Sequence, residues 1–443
     1  MKQVLVLGAG MVAGPLVRYL LAQDGLRVVV ASRTVEKARR LVGDAANGEA
    51  ERLDVGDQVS LEALINQADL AISLLPYAHH PTVAGLCVRH GKQMVTTSYV
   101  KDAMRELDGS AKAAGVILLN EIGVDPGIDH MSAMQVIDRI RDAGGELVGF
   151  TSNTGGLPAP DANDNPFGYK FSWAPRGVIL AGKNPGRYLE DGCVVDVSGP
   201  ELFAHYWPVP IQGFGTLEVY PNRDSLPYID TYGIHGVKNM FRGTLRYPGW
   251  CETLKKIVDL GLLDETERQD LAGMTFAELT ASLSGDGGGD LRAALAARLE
   301  TPADSRVLSR LEWLGFLGDD PLPEGATTLL DVLAARMLDK MEYAPGERDM
   351  LVMQHEFIVR YPDRHEKITA TMIDYGIPNG ESSMSRLVGL PAAIAARMVL
   401  DGTIRLTGVQ TPVVAEIYSL VLEELAGLGV AFAERTEILP AKL

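Results

Sequence analysis

Short apolar runs alternate with amphipathic stretches along the first third of the chain. Residues 4–7 (VLVL) predict a strand, and a helical spacing of apolar residues follows through Leu21. Further strands are predicted at 27–31, 50–53, 70–75, 93–97 and 116–120, with helices at 61–67 and 82–90. Strands alternating with helices pair in parallel and build a doubly wound α/β sheet, whose ligands lie beyond the carboxyl ends of the strands. Leu75-Pro76-Tyr77, Thr97-Ser98-Tyr99 and the turn 121–129 fall at such ends and are expected to face one cleft. From 252 to 345 the pattern changes to helix signals without a convincing strand. Asp264/Glu267 and Thr275/Glu278 there have the spacing of capping pairs. The run 284–290 (SGDGGGD) reads as a solvated turn, because no Lys-Ser/Thr follows as a phosphate loop requires. Strand-like alternation returns at 356–360 and 366–374.

The turn after the first strand carries candidate chemistry. Gly8-Ala-Gly10-Met11-Val12-Ala13-Gly14 matches G-x-G-x-x-A/G in the one context that gives it meaning, between a strand and a helix. Gly8 permits the turn, Gly10 lets the backbone approach a pyrophosphate, and the helix N-terminus offers free N–H groups. The end of the second strand reads Ser32-Arg33-Thr34, where an NAD site would place a carboxylate against the ribose. A guanidinium with two hydroxyls suits a 2′-phosphate instead, so NADP(H) is the expected cofactor. Asp54-Val55, at the end of the third strand, is the expected contact to the adenine edge.

Composition then narrows the class. The 443 residues include 41 Lys plus Arg against 58 Asp plus Glu, a net charge of −17, which argues against nucleic acid as a partner. No stretch of the sequence reads as the roughly 20 apolar residues that span a bilayer, so no membrane partner is expected. The three cysteines (Cys87, Cys193, Cys251) are far apart and in no metal-ligand spacing, which predicts free thiols, no metal and a reducing, cytoplasmic setting. Any anionic ligand of so acidic a chain must be held by local arginines or by backbone N–H groups.

Several longer strings are too specific for generic structure: ISLLPYAHHPTV (72–83), VTTSYVKDAMREL (95–107), NEIGVDPGIDHMSA (120–133), GGLPAPDANDNPFGYKFSWAPRGVI (155–179), YPNRDS (220–225) and RGTLRYPGW (242–250). With them the chain resembles the saccharopine reductase family, the NADP-dependent, L-glutamate-forming saccharopine dehydrogenases of lysine metabolism. The resemblance implies a variant Rossmann domain (1–124 plus 391–443), a second α/β domain with an open mixed sheet for substrate binding and dimerisation (125–251 plus 346–390), and an inserted helical domain (252–345). It implies a homodimer and a small-molecule substrate, either saccharopine or glutamate with 2-aminoadipate 6-semialdehyde. By the same resemblance the cofactor contacts are Gly8, Gly10, Met11, Val12, Ala13, Ser32, Arg33, Thr34, Asp54, Val55, Leu75, Thr97, Ser98, Val124, Asp125, Pro126 and Ala174. The substrate contacts are Ser98, Tyr99, Arg223, Thr244, Leu245 and Arg246.

Saccharopine carries three carboxylates, and guanidinium binds carboxylate through two parallel hydrogen bonds, which favours Arg223 and Arg246 as its anchors. Arg242 and Arg246 are two steps of even spacing apart and share one face of a predicted strand. Tyr99, Asp125 and His130 are open alternatives for acid–base work; Asp125 reads equally as a turn anchor and His130 as a satisfied polar residue beginning a helix. His79-His80 read as surface or hinge residues. Members of the family carry Cys just before GGLPAP, where this chain has Thr154, so a thiol mechanism is not expected. A carboxynorspermidine dehydrogenase-like imine reductase is the alternative enzyme, and it would need a more acidic pocket. A silent NADP(H)-binding regulatory protein is the alternative from another class.

Overall fold

The computed structural model describes residues 1–172, 175–285 and 289–440, and they form two compact units. The first comprises 1–146 and 380–433, the second 147–379 and 434–443. In the first, strands β1 (Lys2–Leu7), β2 (Leu26–Ser32), β3 (Gly48–Arg52), β4 (Leu70–Ser73), β5 (Gln93–Thr96) and β6 (Ile117–Leu119) alternate with helices. All pair in parallel, in the order β6-β5-β4-β1-β2-β3, and the short strand Gly408–Gln410 joins β6 at the edge. The sheet is parallel because the intervening helices carry the chain back over its faces. Its central strands are accordingly apolar on both sides, as at Val4–Leu7, which is wholly buried.

The second unit is built on a nine-stranded mixed sheet. Its strands are β7 (Glu146–Pro158), β8 (Gly186–Glu190), β9 (Cys193–Val197), β10 (Trp207–Ile211), β11 (Gly215–Pro221), β12 (Asn239–Arg246), β13 (Asp349–Arg360) and β14 (His365–Tyr375). With Gly408–Gln410 as β15, the last strand is β16 (Ala433–Leu439). The order is β10-β11-β12-β7-β13-β14-β16, with β8 pairing both β12 and β9. Between β12 and β13 the chain is helical, and among its described residues no strand occurs.

Three expected boundaries move. Residues 125–146 belong to the first unit, because their helix, Ile128–Asp142, is tied there: Tyr418 Oη donates to Asp138 Oδ2 at 2.7 Å, and His130 Nε2 lies 2.8 Å from Glu121 Oε2. Residues 380–390 belong there too. They open the helix Ser383–Asp401, which packs so closely on the helix Ala13–Leu21 that a Cβ at Gly389 would sit 2.9 Å from the Val12 carbonyl oxygen. The end of the chain goes the other way, since β16 lies beside β14 in the second sheet. Nor does 252–345 separate from that sheet: Leu217, Val219 and Leu245 share one continuous core with Leu254, Leu311 and Met337.

Two further readings are corrected. The helix Ser383–Asp401 is long and apolar enough, by length and composition, to cross a membrane, yet 72% of its most apolar window is buried within the fold. It is placed as a core helix of the first unit. Thr275/Glu278 is a true capping box, but Asp264 caps no helix: its Oδ1 accepts from the N–H and the hydroxyl of Thr266, a local turn that competes with helix initiation. The Gly-rich run is described only at its ends, where Asp290 caps the helix Leu291–Arg298.

Candidate active site

In the first unit the glycine loop has the geometry that a dinucleotide requires. Gly8 has φ +111°, and its N–H donates to Ala31 O at 2.9 Å. A side chain there would meet the Leu74 carbonyl at 3.1 Å. At Gly10 the opposite holds: a Cβ would meet nothing within 4 Å, so the residue faces open space. The helix behind it starts at Ala13 with no acidic residue in its first turn, leaving the positive end of its dipole unopposed. Met11 is 66% exposed, Val12 half-buried and Ala13 fully buried against the sheet. These residues fit a pyrophosphate on backbone N–H groups.

At the end of β2 the Thr34 N–H points back to Ser32 Oγ at 3.3 Å, and Thr34 precedes the helix Val35–Val42 without a side-chain cap bond. Arg33 is exposed and enters no ion pair among the described residues. Asp54 Oδ1 accepts from the N–H of Gly56 at 2.9 Å, and Val55 and Leu75 pack on the same apolar cluster. Thr97 lies beside Gly123, where a Cβ would come within 3.1 Å of its side chain. Val124 is buried, and the carbonyl of Pro126 accepts from Gly123 at 2.9 Å. Ala174 lies outside the described residues.

The turn 121–129 and the end of β5 are bound together. Glu121 N donates to Ser98 O at 3.1 Å, and Glu121 Oε1 accepts from Val100 N at 2.8 Å. Gly127 allows the turn to close; a Cβ there would lie 2.1 Å from Gly123 O. This brings both acid–base candidates into contact, with Tyr99 Oη donating to Asp125 Oδ1 at 3.3 Å. His130 is instead wholly buried on Glu121, as a satisfied polar group. His80 overturns its surface reading. It is 3% exposed, with Nδ1 at 2.9 Å from Ser73 Oγ and Nε2 at 2.8 Å from Ser98 Oγ. Burial, with a smaller effect of nearby His79, pushes its pKa down to about 4. His79 beside it is exposed as expected. Sequence reasoning missed His80 because a His-His pair after a loop looks polar; its one signal was Pro81, which marks position 80 as a helix start.

The second unit gathers a different set. The register places Arg242 beside Ser152 and Thr244 beside Thr154 on β7, and Arg246 opposite Glu218 on β11. Arg246 is 4% exposed, with Nη1 donating to Leu245 O at 2.7 Å and Nε without a partner. Among the described residues no carboxylate pairs with it; its guanidinium instead lies over Tyr169, Trp250 and Tyr220, at 4.9, 5.5 and 5.9 Å from their ring centres. Glu218 is spent on the N–H groups of Gly249 and Cys251. The buried hydroxyls of Ser152 and Thr154 also lack partners. Polar groups sealed from water normally find partners within the protein, so these unpaired atoms mark β12 and the adjoining part of β7 as a candidate site for a polar ligand. Arg242 is likewise buried, but it stacks on Tyr228 at 4.1 Å. Leu245 is a core residue, and Arg223 is exposed in a left-handed turn with φ 59°.

Residues 4–119 match the saccharopine dehydrogenase NADP binding domain, and residues 123–430 match the saccharopine dehydrogenase C-terminal domain. The chain belongs to the saccharopine dehydrogenase family. It is 40% identical to the NADP(+)-dependent, L-glutamate-forming saccharopine dehydrogenase of Schizosaccharomyces pombe, over 98% of this chain and 99% of that one. Its identity to the mitochondrial alpha-aminoadipic semialdehyde synthase of Bos taurus is also 40%, over 99% of this chain and 48% of that longer protein. The solved apo saccharopine dehydrogenase (L-Glu forming) of Saccharomyces cerevisiae superposes with a TM-score of 0.93 at 39% identity, covering 99% of this chain and 100% of that one. The expected α/β fold, with a parallel Rossmann-like sheet and a mixed second sheet, is that of the family.

Proposed function

We propose that this protein is an NADP-dependent, L-glutamate-forming saccharopine dehydrogenase. L-Saccharopine, NADP+ and water give L-glutamate, 2-aminoadipate 6-semialdehyde, NADPH and a proton, and the reaction runs in either direction. Bound NADP(H) supplies or accepts the hydride exchanged with the carbon beside the secondary amine. The first unit holds it through the Gly8–Ala13 loop and discriminates its 2′-phosphate through Ser32, Arg33 and Thr34. The observation that carries the substrate assignment is Arg246, a buried guanidinium with no carboxylate partner among the described residues. A ligand rich in carboxylates supplies the missing partner, and the hydroxyl of Thr154 lies next to Thr244 on the neighbouring strand, two residues before that arginine. The diamine-derived alternative needs acidic groups, and Glu218 is already occupied by backbone N–H groups.

Ser98, Tyr99, Arg223, Thr244 and Leu245 complete the substrate contacts in this reading. The Tyr99–Asp125 pair exchanges the proton released when water adds to the imine. Appearance of NADPH absorbance with L-saccharopine, and none with carboxynorspermidine, tests the assignment; the reverse result refutes it. We also propose a cytoplasmic homodimer joined through the second unit, where half-buried Trp207, Leu189 and Ile358 line one open pocket. A monomeric mass in light scattering of the active protein contradicts the dimer.

A further inference from the structure

Ser73, His80, Thr96 and Ser98 form a small network at the carboxyl ends of β4 and β5, and their protons can be assigned by elimination. Thr96 Oγ1 donates to the Ser73 carbonyl at 2.9 Å, which uses its only proton. The same oxygen lies 3.3 Å from His80 Nε2 and 3.4 Å from the Ser98 N–H, so towards both it can only accept. A bare lone pair on Nε2 would face the lone pairs of Thr96. Nε2 therefore carries the ring proton, and its closest acceptor is Ser98 Oγ at 2.8 Å. Nδ1 is then an acceptor and takes the hydroxyl proton of Ser73 at 2.9 Å. The chain of donation runs from Ser73 through His80 to Ser98 and stops there, since Ser98 Oγ has no other partner among the described residues.

We propose that His80 is a positioning residue that fixes the polarity of Ser98: held as the Nε2–H tautomer, it donates to Ser98 Oγ and commits the Ser98 hydroxyl proton to an oxygen acceptor on the substrate. With the imidazole N–H donating to Ser98, the serine proton cannot be spent on His80 and is left for an acceptor such as a carboxylate oxygen, while one lone pair of Ser98 is already engaged. Burial keeps the ring neutral at pH 7, so it holds a single proton and a single tautomer. Thr96 sets that tautomer, although it lies behind the serine.

The substrate half of this inference rests on the proposed function, which makes Ser98 a substrate contact; the tautomer half does not. The full-length protein, labelled with 15N-histidine and assigned by comparison with His80→Gln, is read by long-range 1H–15N correlation at pH 7. We expect the Nε2–H pattern for His80; an Nδ1–H or doubly protonated ring overturns the inference. In kinetics, His80→Leu should raise the KM for saccharopine about tenfold, because one hydrogen bond to a charged group is disordered. His80→Gln, which returns an N–H near the Nε2 position, should recover most of that loss. Equal impairment in both variants, or no change in His80→Leu, defeats the positioning role. If Ser98→Ala keeps the parental KM while the Nε2–H pattern is present, the substrate contact is wrong and the proton relay stands.

Discussion

The two units treat negative charge in opposite ways. In the first, the groups aimed at an anion are mostly main-chain N–H groups of the Gly8–Ala13 loop, backed by an exposed Arg33. In the second, the guanidinium of Arg246 is almost sealed from water, over three aromatic rings and with no counter-ion among the described residues. A backbone site costs the apo fold little, because helix termini leave free N–H groups in any case. A buried unpaired cation does cost it, and a ligand carboxylate offsets that cost on binding. On the proposed reading, selectivity for a multi-carboxylate substrate draws on stability in one unit, while cofactor choice rests on a single surface charge in the other.

The sharpest way to break this contrast is at Arg246. Arg246→Ala should lower kcat/KM for saccharopine by about 2–5 kcal/mol of transition-state stabilisation, the cost of leaving a desolvated carboxylate alone. NADPH titration should be unaffected, and Arg246→Lys should fall between parent and alanine. Arg246→Met should leave the urea midpoint of the apo protein no lower than the parent's. A large loss of apo stability would show that the guanidinium is a structural element instead.

The next effect concerns the buried imidazole of the first unit. The folded protein holds His80 neutral, with a pKa of about 4 against an ordinary 6.5, because burial disfavours the charged ring. The unfolded chain takes up a proton below about pH 6.5 while the native one resists it. Its contribution is therefore complete above pH 6.5 and is lost as pH falls towards 4, amounting to on the order of 2–3 kcal/mol. Urea midpoints measured from pH 7 to pH 4.5 should show this acid limb, and His80→Leu should flatten it.

Arg33→Asp should weaken NADPH by about 1.5–3 kcal/mol and improve NADH relative to it. Parallel titrations read this, and equal losses for both cofactors would remove Arg33 from the 2′-phosphate site. The smallest effect is expected at Gly10. Gly10→Ala places a methyl group in open space, so the thermal midpoint should hardly change. Both cofactors should bind several-fold more weakly, by about 1 kcal/mol, as the backbone is held off the pyrophosphate.

How much of this was legible in the sequence follows from the same contrast. The glycine loop and Ser32-Arg33-Thr34 are local: their geometry depends on a few adjacent residues, and the pattern of strand, turn and helix revealed them. The environment of Arg246 is assembled from Tyr169, Tyr220 and Trp250, which only the tertiary fold brings together. Sequence named that arginine by resemblance and could say nothing of its missing counter-ion. His80 was misread for a similar reason, since its burial depends on β4 and β5 being neighbours. Asp264 failed at shorter range: the spacing to Glu267 suited a capping box, but Thr266 offered the carboxylate a nearer turn. The helix 128–142 falls in the other unit from the one expected because its anchor Tyr418 comes from 280 residues further along the chain than Asp138.

That first unit is a split object in time as well as in sequence. The helix Ala13–Leu21 buries Leu16 and Leu20, and the helix Ser383–Asp401 that packs on it is synthesised far later. At common translation rates the delay is roughly 20–70 s, many times longer than an isolated helix and sheet need to collapse. Throughout that interval residues 147–379 of the second unit emerge while the N-terminal sheet waits with an apolar flank uncovered and its β6 edge unpaired by Gly408–Gln410. A nascent chain in that state is a natural client for a ribosome-associated holdase, and a ribosome that stalls late leaves an aggregation-prone fragment.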